Sequence, residues 1–260
     1  MSGPYTQPLV FYFGQGRAEG TAAMKDILGG KGAGLAEMTT IGIPVPPGFT
    51  IASNLCLHYL ESHHFPKRLQ AQVENALQRL ETATGKHLGD GENPLLVSVR
   101  SGAAVSMPGM METILNLGLN DITVEGLARQ SGNPPFAWDS YRRFVQMYGT
   151  VVFDLSKKPF EQILEEHKQR CGIDRDIDLP LEEMQAVVRR FKEHVRAESG
   201  REFPIEPLDQ LWGAIAAVFE SWNTRRAIDY RKLHDIPDSM GTAVNIVAMV
   251  FGNLGEDSGT

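Results

Sequence analysis

The chain has 260 residues, 42% hydrophobic and 22% charged, which suffices for one or two domains with a substantial core and gives no compositional sign of disorder. A formal charge of −7 and a pI near 5.5 exclude a nucleic-acid binder that works through a basic face, so any anion the chain binds must meet locally gathered positive charge. Two cysteines, Cys56 and Cys171, are too few for a disulfide scaffold, and no secretory leader or membrane-spanning apolar run is legible; free thiols in a soluble, cytoplasmic protein without membrane or nucleic-acid partners are expected.

Phe11 and Phe13 mark a short strand that runs into the turn Gly14–Gly20; this is a near miss for a dinucleotide fingerprint, with the third glycine one place late, and it reads as a loop. Leu28-Gly29-Gly30-Lys31-Gly32-Ala33-Gly34-Leu35 then opens a helix through Met38 that stops near Gly42. Four glycines around one lysine let backbone N–H groups approach a phosphate, with the helix start adding partial and Lys31 full positive charge. A glycine turn carrying a solvated lysine is the competing interpretation, and the spacing is not that of a Walker A loop. Residues 43–51 read as a strand entered through a proline-stiffened corner and placed near the Leu95 strand. Leu69, Val73, Ala76, Leu77 and Leu80 have the spacing of a helix that covers one face of a sheet.

Leu95 to Val99 is an apolar run of buried-strand length that ends at Arg100, followed by Ser101 and Gly102. That puts a permanently charged, forked donor at a strand end, where open α/β folds hold ligands; the alternative is an arginine salt-bridged to a surface carboxylate. Met107-Pro108-Gly109-Met110-Met111 follows, as core filler or an adaptable contact surface, and then the helical or extended stretch Glu112–Asn120. Four charged helices are expected at Thr123–Gln130, Phe136–Val152, Phe160–Cys171 and Leu181–Glu198, the third starting at Ser156 and the fourth capped by Asp178. Tyr141, Phe144, Val145, Tyr148 and Val152 form a core stripe, with Arg142 and Arg143 solvated beside it. Pro207–Trp222 reads as an apolar amphipathic helix, 223–235 as a basic helix and 241–251 as a strand leading into a Gly- and Ser-rich tip. The seven histidines lack metal-ligand spacing and receive no catalytic role.

Six stretches in register, LGGKGAGLAEM (28–38), IPVPPGFT (43–50), LLVSVRSGA (95–103), SMPGMMETILNLGLND (106–121), DSYRRFVQMYG (139–149) and GTAVNIVAMVFGNLGEDSGT (241–260), resemble the N-terminal nucleotide-binding domain of the pyruvate, phosphate dikinase family. Phosphoenolpyruvate synthases share the glycine-lysine loop and the Arg-tipped strand but not the MPGMMETILNLGLN segment, so they are the nearer alternative, and a non-catalytic docking module is the alternative from another class. The resemblance implies an α/β (α+β) ATP-grasp fold: a first subdomain at 1–120, an inserted helical subdomain at 121–205, a helical return at 206–240 and the start of a second half at 241–260. It implies that Lys31 and Arg100, as catalytic residues, contact ATP phosphates, and that Ser258, Gly259 and Thr260 begin a phosphate loop. Mg²⁺ is implied as the cofactor of ATP, with its ligands and the phosphate-carrying histidine domain of the same full-length protein beyond residue 260; a homodimer is an admissible assembly. Some family members carry an arginine where this sequence has Ala104. The expected reaction converts ATP, phosphate and pyruvate to AMP, diphosphate and phosphoenolpyruvate through phosphohistidine, with this stretch as an inactive fragment of the enzyme.

Overall fold

A computed structural model of the chain describes residues 8–252, which form a mixed α/β structure packed as two compact units. Within the described residues the first unit comprises 8–85, 98–113 and 215–248, and the second 86–97, 114–214 and 249–252. These limits fall at other points of the chain than 120, 205 and 240. Ser258, Gly259 and Thr260 lie outside the described residues.

In the first unit, Val10–Gly14 (β1) is buried along its length and turns through Gln15 and Gly16, at φ 53° and 74°, to pair antiparallel with Arg17–Ala18 (β2). The glycine run expected to be a plain loop is thus a two-residue hairpin, closed by the positive φ angles such turns need. On the outer edge of β1, Gln72 Oε1 accepts from the N–H groups of Leu9 (2.8 Å) and Val10 (3.2 Å), and Glu19 Oε2 accepts from Tyr12 N–H at 2.8 Å. Helix α1 (Lys25–Thr40) follows, interrupted at Gly29. Gly48–Ile51 (β3) pairs antiparallel with β1 and with Ala243–Ala248 (β6), and the strand order runs β2-β1-β3-β6 and then Val97–Gly102 (β4). β3 is therefore not beside the Leu95 strand: β6, contributed from almost 200 residues downstream, lies between them. Asn54–Ser62 (α2) and Lys67–Thr84 (α3) complete the early part, and α3 buries Leu69, Val73, Ala76, Leu77 and Leu80, the residues its spacing singles out. Cys56 is buried on α2, and burial pushes its thiol up to about 12, so it is a packing residue and not a nucleophile.

In the second unit, residues 114–117 belong to the strand Thr113–Leu117 (β5), which resolves the ambiguous stretch after the methionines as extended. Four helices follow: Thr123–Ser131 (α4), Pro134–Val151 (α5), Lys157–Cys171 (α6) and Leu181–Ser199 (α7). α5 packs on α4 and α7 through Tyr141, Phe144, Val145 and Tyr148, all essentially buried. Its start is set by Asn133, whose Oδ1 accepts from Phe136 N–H at 3.1 Å, with Pro134 in the first turn. Asp178 does not cap α7: its carboxylate is taken by Arg175 at 2.7 and 2.8 Å, and Pro180 occupies the cap position. Arg142 is not solvated either; it is 4% exposed and donates to Asp139 Oδ1, while Arg143 reaches the other carboxylate oxygen from the exposed side. A buried guanidinium is tolerable here because Asp139 is buried beside it.

Helix α8 (Pro207–Glu220) begins in the second unit and ends in the first, and leads to Arg225–Leu233 (α9). Within the second unit its buried Gln210 satisfies three backbone groups: Gly118 N–H at 3.0 Å, Leu119 O at 3.0 Å and Pro204 O at 2.9 Å. No helix among the described residues is long and apolar enough to cross a membrane.

Two sets of substitutions test these constraints. Gly29 (φ 67°, ψ 171°) occupies backbone space open essentially to glycine, and a Cβ there would collide with Gly102 O. Gly29→Ala is expected to cost ~3 kcal/mol in urea denaturation, whereas Gly34→Ala, in open space on the same helix, gains about 0.5–1 kcal/mol. Gln210→Leu, which orphans three buried backbone groups, is expected to cost ~3 kcal/mol or more in the same measurement.

Candidate functional site

The break in α1 builds the site. At Gly29 the chain leaves helical geometry and re-enters it, so residues from Gly30 onward form a second helical stretch with its own N-terminus. That N-terminus is seated on the end of β4: Gly30 N–H donates to Ala103 O at 2.9 Å. Behind the contact, Gly102 N–H donates to Thr242 Oγ1 at 3.2 Å, and Thr50 Oγ1 donates to Asn245 Oδ1 at 2.9 Å in the layer on which Gly32 rests. The close approach of helix to strand needs glycine on both sides, because side chains at 29 or 102 would meet backbone or the Asn245 amide.

Lys31 stands in the first turn of this second stretch. The residue is exposed, but its ammonium lies against the strand end and donates to Ser101 O at 2.9 Å. Together with Gly30 and Ser101, the residues from Ala103 to Gly109, Met111 and Thr113 line a cleft of about 510 Å³. The strand expected to stop at Arg100 runs on to Gly102, because Ser101 and Gly102 continue its buried run. Arg100 is the one exposed residue of β4, and Ser101, not Arg100, lines the cleft.

The Lys31 pKa is lowered, first by burial of the ammonium and second by the positive charge of Arg100, so the structure does bring the two sequence-selected cations within electrostatic range of each other. Among the described residues neither cation pairs with a carboxylate, so the salt-bridged interpretation of Arg100 finds no partner, and the solvated interpretation of Lys31 gives way to an ammonium held at a carbonyl. Two like charges held close, with helix N–H groups beside them, form a place where an anion relieves repulsion as well as gaining attraction.

Sequence reasoning does not single out Ser101, Thr242 or Asn245 as parts of the site. Ser101 acts through its carbonyl, which carries no side-chain signature, and Asn245 on β6, with Thr242 just before it, belongs to a strand whose neighbours in the sheet are far away in the chain. The loop between β4 and β5 stands out in the sequence for its methionines: Met107 is buried, Met111 Sδ lies 3.9 Å from Ser221 Oγ, and Glu112 pairs with Arg226. Among the described residues no group of three or more His, Cys, Asp or Glu is placed to hold a metal ion.

Comparison with known proteins gives a consistent set of relatives. The chain is 54% identical over 252 residues to a pyruvate, phosphate dikinase of Rhizobium meliloti (strain 1021), covering 96% of this chain and 28% of the relative. It is 53% identical over 244 residues to that of Clostridium symbiosum, covering 93% and 28%, and 49% identical over 256 residues to a chloroplastic form of Zea mays, covering 98% and 27%. The chain thus spans just over a quarter of the length of the curated relatives it matches. The family model described as pyruvate phosphate dikinase, AMP/ATP-binding domain, matches residues 25–64 and 58–260, and the chain belongs to that family.

Proposed function

We propose that the cleft at Lys31 and Arg100 binds the phosphate chain of ATP, and that the chain serves as the ATP-binding, ATP-grasp part of a pyruvate, phosphate dikinase. One observation carries the reading: the Lys31 ammonium, in the first turn of a helical stretch, lines an open cleft with the positive charge of Arg100 within electrostatic range, and among the described residues neither cation pairs with a carboxylate. The proposed reaction of the whole enzyme takes ATP, phosphate and pyruvate to AMP, diphosphate and phosphoenolpyruvate through a phosphohistidine. The carrier histidine domain of the same protein, the rest of the ATP site and a phosphate loop starting at Ser258, Gly259 and Thr260 belong to this proposal, as do the division at 120, 205 and 240, a homodimer and a cytoplasmic setting.

Phosphoryl transfer needs positioning and the neutralisation of charge that migrates among phosphate oxygens. Lys31 lines the cleft and supplies a point charge held at Ser101 O. Arg100 supplies a planar fork suited to two oxygens at once, and the helix start at Gly30 supplies fixed partial charge. Mg²⁺ would accompany ATP and neutralise its phosphates. The described residues do not fit that ion: they offer it no carboxylate cluster, and Glu112, the acid of the loop, is engaged by Arg226. Binding and orienting the anion therefore falls to the chain's own cations.

Two experiments test the reading. Titration with ATP by calorimetry is expected to show a 10- to 100-fold loss of affinity for Arg100→Ala and for Lys31→Ala, since each removes a charge-assisted hydrogen bond of about 1.5–3 kcal/mol; wild-type affinity or wild-type turnover in the full-length Arg100→Ala enzyme rejects the site. The second uses proton linkage. A lysine whose folded pKa is lowered is less protonated than a free lysine in the window below its ordinary value. Bound phosphate favours the charged form and raises the pKa again, so ATP binding drives Lys31 to take up a fraction of a proton, up to about one, in that window, and affinity falls as pH rises through it. Calorimetry in buffers of different ionisation enthalpy reads the uptake, which Lys31→Ala abolishes.

A further inference from the structure

The loop from Ala103 to Glu112 forms most of the cleft wall and is tied by backbone hydrogen bonds at both ends, with Met107 buried between them. At its start Ala103 O accepts from Gly30 N–H at 2.9 Å, and at its finish Glu112 O accepts from Ser101 N–H at 3.4 Å. Met111 and Thr113, on either side of Glu112, line the cleft. The Glu112 side chain does not: it is 26% exposed and ion-paired with Arg226, a residue 114 positions further along the chain. The ordinary account of such a pair is a surface contact that contributes little to global stability. The anchorage of Arg226 argues for a local role. Its helix α9 is clamped by Arg231, which is 2% exposed, lies 4.1 Å over the Trp222 ring, and donates to Trp222 O and to Asp238 Oδ1. Ser221, one residue before Trp222, holds Met111 Sδ at 3.9 Å. The segment from Ser221 to Arg226 thus meets the trailing end of the loop at two adjacent residues, Met111 and Glu112.

The geometry points to Arg226 as a positioning residue: through Glu112 it fixes the Ala103–Glu112 loop as the wall of the phosphate cleft and neutralises the one carboxylate in that loop. This rests on the reading of the cleft as the ATP-phosphate site. Arg226 is not itself a lining residue of the cleft and acts through Glu112. The pair has an asymmetry that a mere surface contact lacks. Removing Arg226 frees the loop and leaves a bare carboxylate one residue from Met111 and Thr113, close to where phosphate would sit. Removing the Glu112 charge frees the loop alone.

The test compares Arg226→Gln, Glu112→Gln and the exchanged pair Glu112→Arg with Arg226→Glu in the intact protein, with Lys31→Ala as a control. Hydrogen exchange without nucleotide is expected to rise in residues 103–112 of both single variants, with α3 unchanged, and to return towards wild type in the exchanged pair. ATP affinity is expected to fall about 5-fold in Glu112→Gln and 10- to 30-fold in Arg226→Gln, with thermal midpoints preserved, and to recover to within about threefold in the exchanged pair. Unchanged exchange in the loop overturns the proposal, as does a loosened loop with wild-type affinity, or a Glu112→Gln loss as large as that of Arg226→Gln. Undiminished affinity in Lys31→Ala rejects the cleft as the phosphate site and with it the affinity role of Arg226, while the exchange data still decide whether Arg226 orders the loop.

Discussion

Everything in the candidate site depends on one backbone contact, the seating of the helix start at Gly29 and Gly30 on the strand end at Gly102 and Ala103. A helix N-terminus leaves N–H groups without partners inside the helix, and here one of them, on Gly30, is satisfied by the carbonyl of a neighbouring strand. That bond fixes where the helix begins, and therefore where Lys31 points. The support lies behind it in the Thr242 contact to Gly102 and the Thr50–Asn245 pair. The same glycine that makes the chain locally weak as a helix makes the contact possible, since a side chain at Gly29 would force the two backbones apart and one at Gly102 would collide with the Asn245 amide.

The electrostatic character of the cleft follows from what Lys31 is bonded to. A carbonyl orients an ammonium without cancelling its charge, whereas a carboxylate would have done both. Burial lowers the Lys31 pKa, and Arg100, on the exposed face of a strand otherwise buried, adds a second charge that lowers it further. In a chain with net charge −7, two cations without a carboxylate partner among the described residues are a local exception to the overall sign. The rest of the basic residues are largely spent in pairs, such as Arg142 and Arg143 with Asp139, and Lys192 with Asp121.

The elements that can be read from the sequence are those whose signal is local. The apolar stripe of α3 fixes both its existence and its buried face, and the boundaries of α4 to α7 follow from spacing and flanking glycines and prolines. The glycine run around Lys31 suggests a helix start but equally a turn, and it is the break at Gly29 inside α1 that makes it a helix start. What escapes is what depends on partners far away in sequence. Neither the insertion of β6 between β3 and β4 nor the burial of Arg142 and Arg231 can be inferred from the residues near them; each is decided by a strand, an aspartate or an indole contributed from elsewhere. Asp178 has the position of a cap, but Arg175 offers its carboxylate two charge-assisted bonds. Ser101 escapes for another reason: a backbone acceptor has no side-chain identity to recognise.

The outer edge of β1 has a consequence for the chain's behaviour among its own copies. Beyond the two residues covered by β2, an edge strand offers outward N–H groups to any extended segment that approaches, and a hydrophobic one such as VFYFG is a template for adding strands. Gln72 and Glu19 occupy the N–H groups of Leu9, Val10 and Tyr12 with side-chain oxygens, and Arg79 lies 4.1 Å over the Tyr12 ring while pairing with Glu19. A second molecule must break these bonds before it can extend the sheet, so the capped edge acts as a barrier to self-association, built from a glutamine, a glutamate and an arginine.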